Sequence, residues 1–184
     1  MLPDFAHSLY QAFEREKIPL LLAGGWAVCH HGYSRYTNDI DWICSRANEP
    51  QASHLMRSLG FEIVFEAMAT RFRHPKHFDL LPVDLLWVSP ATFAKMAVSD
   101  QKTGKHAEIP VIDFESLLAM KLHALKDDQE RDGKDLLDIR LLLRENKEEL
   151  SEEFLRDMCE RYAGPDAYNL VRMKSQPSHS LGMT

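Results

Sequence analysis

Apolar and polar positions divide the chain into short strand-like runs and longer helix-like segments. Apolar residues recur at helical intervals over residues 4–16, after Pro3, and this spacing predicts an amphipathic helix. The strand-like runs are IPLLLAG (18–24), DIDWIC (39–44), FEIVFE (61–66), TRFRH (70–74), DLLPVDLLWV (79–88) and the shorter EIPVID (108–113). GWAVCHHG (25–32) and PQASHLMRSLG (50–60) have the length and the terminal glycine of short helices.

Three of the strand-like runs also indicate where they lie in a sheet. FEIVFE alternates with period two, and TRFRH alternates Phe72 with basic residues, so the two are predicted to pair as a hairpin. DLLPVDLLWV contains Pro82, which cannot donate a hydrogen bond to a neighbouring strand. We therefore expect this strand near an edge of the sheet.

After Asp113 the pattern becomes helical. The segments with helical spacing are DFESLLAMKLHAL (113–125), KDLLDIRLLLREN (134–146) and SEEFLRDMCERY (151–162), and Asp113 is a predicted N-cap. The layout predicts an α/β (α+β) fold, with a small mixed sheet, flanking helices and a helical C-terminal third. We assign residues 1–112 to the sheet domain, 113–165 to a helical region packed on it, and 166–184 to a flexible tail.

Composition and charge narrow the class of protein. The 184 residues are 45% apolar, and 22 Lys plus Arg stand against 28 Asp plus Glu, for a formal charge of −6. Such a balance argues against a protein that coats nucleic acid by charge alone. The widely spaced cysteines, Cys29, Cys44 and Cys159, indicate no disulfide framework and favour the reducing cytoplasm. No run approaches the ~18 apolar residues of a membrane span, so no membrane association is predicted.

Asp39 and Asp41 are the first candidates for chemistry. Residues two apart in a strand point to the same side, so both carboxylates project together while Ile40 and Trp42 pack on the other side. At about 5 Å and an effective dielectric constant of about 20, their repulsion is roughly 3 kcal/mol. A hard cation such as Mg²⁺ or Mn²⁺ would offset that cost, and oxygen ligands suit it.

A third carboxylate is expected from a neighbouring strand. Asp84 lies inside an apolar run, between Val83 and Leu85, where an unpaired charge would be costly. Asp79 is the competing candidate, but it lies outside that run. We prefer Asp84 as the third member of the site.

Gly24 and Gly25 stand between a predicted strand and a predicted helix. Glycine lets the backbone approach a ligand closely, and a helix start directs free N–H groups at an anion such as phosphate. The pair alone is compatible with a simple tight turn. Its position before the Asp-x-Asp strand favours a phosphate-binding interpretation.

The ordered set of glycine pair, Asp-x-Asp strand and later aspartate resembles the nucleotidyltransferase superfamily with the polymerase-beta-like palm. Gly24-Gly25, Asp39-Ile40-Asp41 and Asp84 stand where that superfamily has its glycines, its acidic pair and its third acidic residue. The stretch GGWAVCHHGYSRYTNDID (24–41) is similar to the minimal AbiEii-type, antitoxin-associated branch, in which an Arg and a Thr often precede the acidic pair. Arg35 and Thr37 do so here.

A downstream segment is also similar to AbiEii-type chains. Those chains carry a Lys-x-x-Ala helix followed by a basic-Asp-x-x-Asp helix. The matching positions here are Lys121 and Ala124, then Lys134, Asp135 and Asp138. The sequence departs where those chains usually have an arginine, because Asp128 stands there, with Lys126 and Arg131 nearby.

The resemblance implies that residues 1–112 form a nucleotidyltransferase palm that transfers a nucleoside monophosphate from an NTP to a hydroxyl of a small molecule, protein or RNA end. It implies Mg²⁺, or Mn²⁺, as cofactor and assigns these residues: Asp39, Asp41 and Asp84 as catalytic and metal-binding, and Gly24, Gly25, Arg35, Thr37 and Lys121 as nucleotide-binding. A homodimer or a cognate toxin or antitoxin protein is the expected protein partner. An RNA acceptor receives no support from the net charge.

Several assignments keep a structural alternative. Arg35 could instead pair with Asp39, Lys121 could be an ordinary lysine of an amphipathic helix, and Trp26 could be a core residue rather than part of a nucleotide pocket. Asp135 and Asp138 could pair with Lys134 and Arg131 on a helix surface. The histidines lack the spacing of a zinc site. A weakly active or inactive partner protein in a toxin–antitoxin or phage-defence system is the alternative function.

Overall fold

The computed structural model describes residues 2–100, 109–127, 133–146 and 150–172. The chain forms two compact units, Met1–Leu118 and Ala119–Thr184. Their boundary falls inside a helix, Phe114–Asp127, whereas the sequence prediction placed it just before Asp113. A helix that spans a boundary gives no turn signal to mark it.

The first unit is a five-stranded mixed sheet with helices. Its helices are α1 (Asp4–Arg15), α2 (Gly24–His30), α3 (Glu49–Ser58) and α4 (Pro90–Asp100), with a 3₁₀ turn at Arg46–Asn48. Its strands are β1 (Leu20–Leu22), β2 (Ile40–Ser45), β3 (Glu62–Glu66), β4 (Ala69–Arg73) and β5 (Val83–Val88). The strand order is β1-β2-β5-β4-β3, and only the β2–β5 pairing is parallel.

Strand β5 shows how the alternation of residues in the sequence determines which side chains are buried in this sheet. Val83, Leu85 and Trp87 are buried, and the residues between them are half-buried, as a period of two requires. Trp87 satisfies its indole N–H within the core by donating to the Thr70 hydroxyl at 2.9 Å. The fold-class prediction, a small mixed sheet with flanking helices, is confirmed.

The prediction that the strand after Pro82 lies near an edge is wrong. Strand β5 lies in the middle of the sheet, between β2 and β4. Pro82 precedes the first strand residue, Val83, so its missing N–H removes no bond from the ladder. Its carbonyl accepts a hydrogen bond from the Ile40 N–H at 2.9 Å and thereby extends the pairing with β2.

The predicted hairpin is confirmed, since β3 and β4 pair antiparallel, and β3 forms the edge. The predicted short strand around Val111 is only a single bridge to Leu22. Helix α4 was not predicted, although Ser89 and Pro90 carry a start signal: the Ser89 hydroxyl accepts from the Thr92 N–H at 3.1 Å.

The second unit is helical, and the helix that spans its boundary begins where the sequence predicted. The helices are α5 (Phe114–Asp127), α6 (Lys134–Glu145), α7 (Glu152–Ala163) and α8 (Ala167–Arg172). The Asp113 carboxylate caps α5 by accepting from the Ser116 N–H at 2.9 Å. None of the helices in the described ranges is long and apolar enough to cross a bilayer.

The predicted tail starts too early. Helix α8 occupies residues that were assigned to the tail, with Ala167 and Val171 buried. It is held to α7 because Tyr168 donates to Glu152 at 2.6 Å and Arg172 pairs with the same carboxylate. Residues 173–184, the remainder of the predicted tail, lie outside the described residues.

Candidate functional site

The register of the sheet brings the predicted carboxylates to one place. In the parallel pairing of β2 with β5, Asp41 lies directly beside Asp84. Asp39 immediately precedes β2, and its carboxylate binds the same guanidinium as the carboxylate of Asp84. Asp84 is 13% exposed at its side chain and Asp39 25%, so both carboxylates are partly withdrawn from water.

Arg71 joins two of these carboxylates. It lies opposite Asp84 in the β4–β5 pairing. Its Nε donates to Asp84 Oδ1 at 2.7 Å, and its Nη2 donates to Asp84 Oδ2 at 2.5 Å and to Asp39 Oδ2 at 3.1 Å. This fork is the bidentate geometry that makes arginine–carboxylate pairs strong.

The electrostatics of Arg71 include all three aspartates. The pKa of Arg71 is raised above its ordinary value, mainly because Asp84 accepts its hydrogen bonds and further because of the negative charges on Asp84, Asp39 and Asp41. Arg71 is therefore the positive centre of the predicted carboxylate cluster. Sequence reasoning treated it only as part of a basic hairpin.

Gly24 and Gly25 allow three of the predicted site residues to approach the backbone closely. A Cβ on Gly24 would lie 1.7 Å from Asp41 Oδ2, and Gly24 also has a φ of +56°. A Cβ on Gly25 would lie 2.5 Å from Thr37 Oγ1 and 3.0 Å from an Arg35 Nη atom. Glycine is therefore needed at both positions for this close packing of side chains against the backbone. A role of the pair in nucleotide binding stays a prediction.

Thr37 and Trp26 position Asp39 from either side. The Thr37 hydroxyl donates to Asp39 Oδ1 at 3.2 Å, and the Trp26 indole N–H donates to the Asp39 backbone carbonyl at 3.0 Å. Thr37 is buried and Trp26 is half-buried. Arg35 donates through Nη1 to the Tyr36 carbonyl at 3.0 Å, which holds the loop before the strand.

The chemistry of this donor set fits a divalent cation. Carboxylate oxygens are the ligands that Mg²⁺ prefers, and Asp84 and Asp39 already bind a positive group, the Arg71 guanidinium. Across the described ranges, no three Asp, Glu, His or Cys side chains are already arranged as metal ligands. A metal ion would compete with Arg71 there, because the guanidinium binds both oxygens of Asp84 and one oxygen of Asp39.

Lys121 belongs to the second unit and forms ion pairs within it. Its ammonium lies 2.8 Å from Asp135 Oδ1 and 2.7 Å from Asp138 Oδ2, and the side chains of Lys121 and Asp138 are 8% and 1% exposed. The two aspartates therefore pair with Lys121, in addition to any neighbours on their own helix. Nucleotide binding by Lys121 stays a prediction, and Asp128 and Arg131 lie outside the described residues.

Replacing Lys121 by Met is expected to lower the free energy of unfolding by about 3 kcal/mol, because it removes the cation from a buried ion pair. Chemical denaturation measures the change. Lys126→Met is the matched control, since Lys126 lies exposed on the same helix and should change stability by less than about 0.5 kcal/mol. Equal stability of the two variants would contradict a structural role for the buried cluster.

Comparison with known proteins gives a family match over most of the chain. Residues 7–179 match the family model described as "Nucleotidyl transferase AbiEii toxin, Type IV TA system". A comparison with curated proteins gave no match.

Solved structures share the fold at low sequence identity. The antibiotic-resistance protein ANT(2″)-Ia, in complex with adenylyl-2″-tobramycin, has a TM-score of 0.63 and 17% identity over 86% of this chain and 94% of its own. The lincomycin-bound lincosamide adenylyltransferase LnuA has a TM-score of 0.51 and 18% identity over 75% of this chain and 96% of its own. An antigenic nucleotidyltransferase-like protein from Paracoccidioides brasiliensis has a TM-score of 0.50 and 18% identity over 95% and 93%.

Proposed function

The chain belongs to the AbiEii nucleotidyltransferase family, and from this premise we propose that it transfers a nucleoside monophosphate from an NTP to an acceptor hydroxyl in a metal-dependent reaction. The observation that carries the proposal is the sheet register, which sets Asp41 beside Asp84, with Arg71 joining Asp84 to Asp39. Carboxylates brought together in this way could hold the metal ions that stabilise the attacking and leaving oxygens in a nucleotidyl transfer.

In this proposal the three aspartates have distinct tasks. Asp39, Asp41 and Asp84 hold Mg²⁺, which when bound neutralises charge on the phosphates and assists the leaving pyrophosphate. Asp84 also accepts the proton of the acceptor hydroxyl. Thr37 and Trp26 keep Asp39 in place through its side chain and its backbone, respectively.

The nucleotide is proposed to bind beside the glycine pair. Gly24 lets Asp41 lie close to the backbone, and Gly25 does the same for Thr37 and Arg35, so the glycine pair gathers three of the proposed binding side chains. Arg35 lies next to Gly25 and can pair with phosphate bidentately, and Thr37 can donate a hydrogen bond. Lys121 is the further nucleotide-binding candidate.

The acceptor is proposed to be a hydroxyl of a small molecule, a protein or an RNA end. The solved structures whose descriptions name an antibiotic contain adenylyl-2″-tobramycin or lincomycin.

The proposed location is the cytoplasm. The free state of Cys29, Cys44 and Cys159 supports this reducing compartment.

A transfer assay with α-labelled NTPs, Mg²⁺ and fractionated cell extract tests the function. We expect label in one of the RNA, protein or small-molecule fractions, together with pyrophosphate release. The Asp39→Ala plus Asp41→Ala protein should show neither. Equal labelling by both proteins would contradict the enzymatic function, and phosphate release without transfer would indicate a phosphohydrolase instead.

A second candidate is a partner protein in a toxin–antitoxin system, favoured by the type IV description of the matching family. In that case, binding rather than transfer is the main activity, through a cognate protein or a second copy of the chain. Co-purification of the product of a neighbouring gene tests it. Capture that is unaffected by the Asp39→Ala plus Asp41→Ala change, with no transfer by the wild type, would favour this candidate.

A further inference from the structure

Arg71 and a divalent cation compete for the same oxygen atoms. The guanidinium holds both oxygens of Asp84 and one oxygen of Asp39, three acceptors in all. These are two of the three carboxylates proposed to bind metal. A cation that binds these oxygens competes with a bidentate, charge-assisted pair and lies next to a positive charge, which lowers its affinity as long as Arg71 stays in place.

The position of Arg71 lets its side chain leave without disturbing the sheet. Its neighbours in β4, Thr70 and Phe72, are fully buried and fix the backbone. The Arg71 side chain is 40% exposed, more than the Asp84 and Asp39 side chains that it joins, so part of it is in contact with solvent. A long arginine side chain can therefore turn from the carboxylates towards a ligand that enters from solvent.

A triphosphate is the ligand whose chemistry would draw Arg71 away. Guanidinium binds phosphate in the same bidentate manner as carboxylate. When the guanidinium leaves Asp84 and Asp39 for a phosphate, its positive charge is again paired with a negative group. The two carboxylates then become available to the metal that accompanies the nucleotide. One residue would thus serve two partners in turn.

We propose that Arg71 makes metal binding conditional on the nucleotide: its guanidinium occupies Asp39 and Asp84 until a triphosphate takes it over. This inference rests on the proposed function, in which these aspartates hold the metal. By thermodynamic linkage, the nucleotide then raises the affinity for metal and the metal raises the affinity for nucleotide by the same factor. The protein would not hold a tightly bound cation when no NTP is present.

The test is the Arg71→Gln variant, with two binding measurements of opposite expected sign. Without nucleotide, Mn²⁺ titration followed by the electron paramagnetic resonance of free Mn²⁺ should show about tenfold tighter binding than in wild type, a factor typical of coupled sites. With saturating Mn²⁺, affinity for a non-hydrolysable NTP analogue should fall by about tenfold, because the phosphate loses its guanidinium. A purely structural arginine would not raise one affinity and lower the other.

Arg73→Gln is the matched control. Arg73 lies two residues further along the same strand, is exposed, and faces Glu62 in the register rather than an aspartate of the site. It should change neither affinity. Thermal unfolding of both variants checks that the sheet is intact.

Adding Asp84→Asn to wild type and to Arg71→Gln separates failure of this inference from failure of the proposed function. If Mn²⁺ binding depends on Asp84 but is unchanged or weakened by Arg71→Gln, the proposed role of Arg71 is overturned, while the proposed metal site is supported. Binding of Mn²⁺ that is tighter in Arg71→Gln and lost with Asp84→Asn supports both. If none of the proteins binds Mn²⁺, with or without the analogue, both the inference and the metal-dependent function are overturned.

Discussion

Replacing Asp84 by Asn is expected to reduce nucleotidyl transfer by about 1000-fold, the scale of losing a general base. Asparagine keeps the size of the side chain but has no negative charge and cannot accept the proton of the acceptor hydroxyl. It also removes one carboxylate from the proposed metal site beside Asp41. Initial rates of label transfer at saturating NTP and Mg²⁺ measure the change.

Asp79→Asn is the matched control for this prediction. It makes the same chemical change at the other candidate aspartate, which lies exposed outside the strand. Its transfer rate should stay within about twofold of wild type, as expected for a surface substitution away from the site. A rate for Asp84→Asn within tenfold of wild type, with the protein still folded, would remove Asp84 from the mechanism.

The aspartates illustrate what the sequence could predict. The alternation of apolar and polar residues around Asp41 and Asp84 directs both carboxylates away from the buried residues Trp42 and Leu85, and the structure shows both apolar side chains fully buried. Period two is a local property, so it is legible in a single sequence. The resemblance to nucleotidyltransferases grouped these aspartates into one site, and the family match over residues 7–179 confirms the family.

Arg71 illustrates what the sequence could not predict. Its partners, Asp39 and Asp84, are 32 and 13 positions away in the chain, and they meet only because β4 pairs with β5 in one particular register. A slip of one residue would place Arg71 on the opposite face, and nothing local fixes that choice. The alternation of Arg71 and Arg73 with the buried Phe72 was the available signal, but it is compatible with a hairpin surface as well as with a site.

Two further features, the place of Pro82 and the partners of Lys121, were missed for the same physical reason. Pro82 was expected to mark an edge strand because proline lacks an N–H, but the strand begins one residue later, and long-range pairing made it central. Lys121 was considered alone, whereas packing of α5 with α6 surrounds it with Asp135 and Asp138. In both cases the outcome depended on a contact with residues distant in the sequence, which a local pattern does not show.

Gly24→Ala is expected to abolish more than about 99% of the transfer activity, a loss of the kind that small displacements of catalytic groups cause. The added Cβ would lie 1.7 Å from Asp41 Oδ2, so either the Asp41 carboxylate or the backbone at residue 24 must move. The positive φ of +56° adds a backbone cost of about 1–2 kcal/mol for a residue with a side chain. Transfer rates and thermal unfolding, measured on the same preparation, report the two effects separately.

Gly133→Ala distinguishes the clash with Asp41 from backbone strain. Gly133 also has a positive φ, +65°, but a Cβ there would have no atom within 4 Å. Both variants should therefore lose a similar amount of stability from strain, while only Gly24→Ala should lose transfer activity and Mn²⁺ binding, because only its Cβ displaces a proposed metal ligand. If Gly24→Ala retained activity and Mn²⁺ binding while losing as much stability as Gly133→Ala, the close approach of Gly24 to Asp41 would be a feature of folding alone.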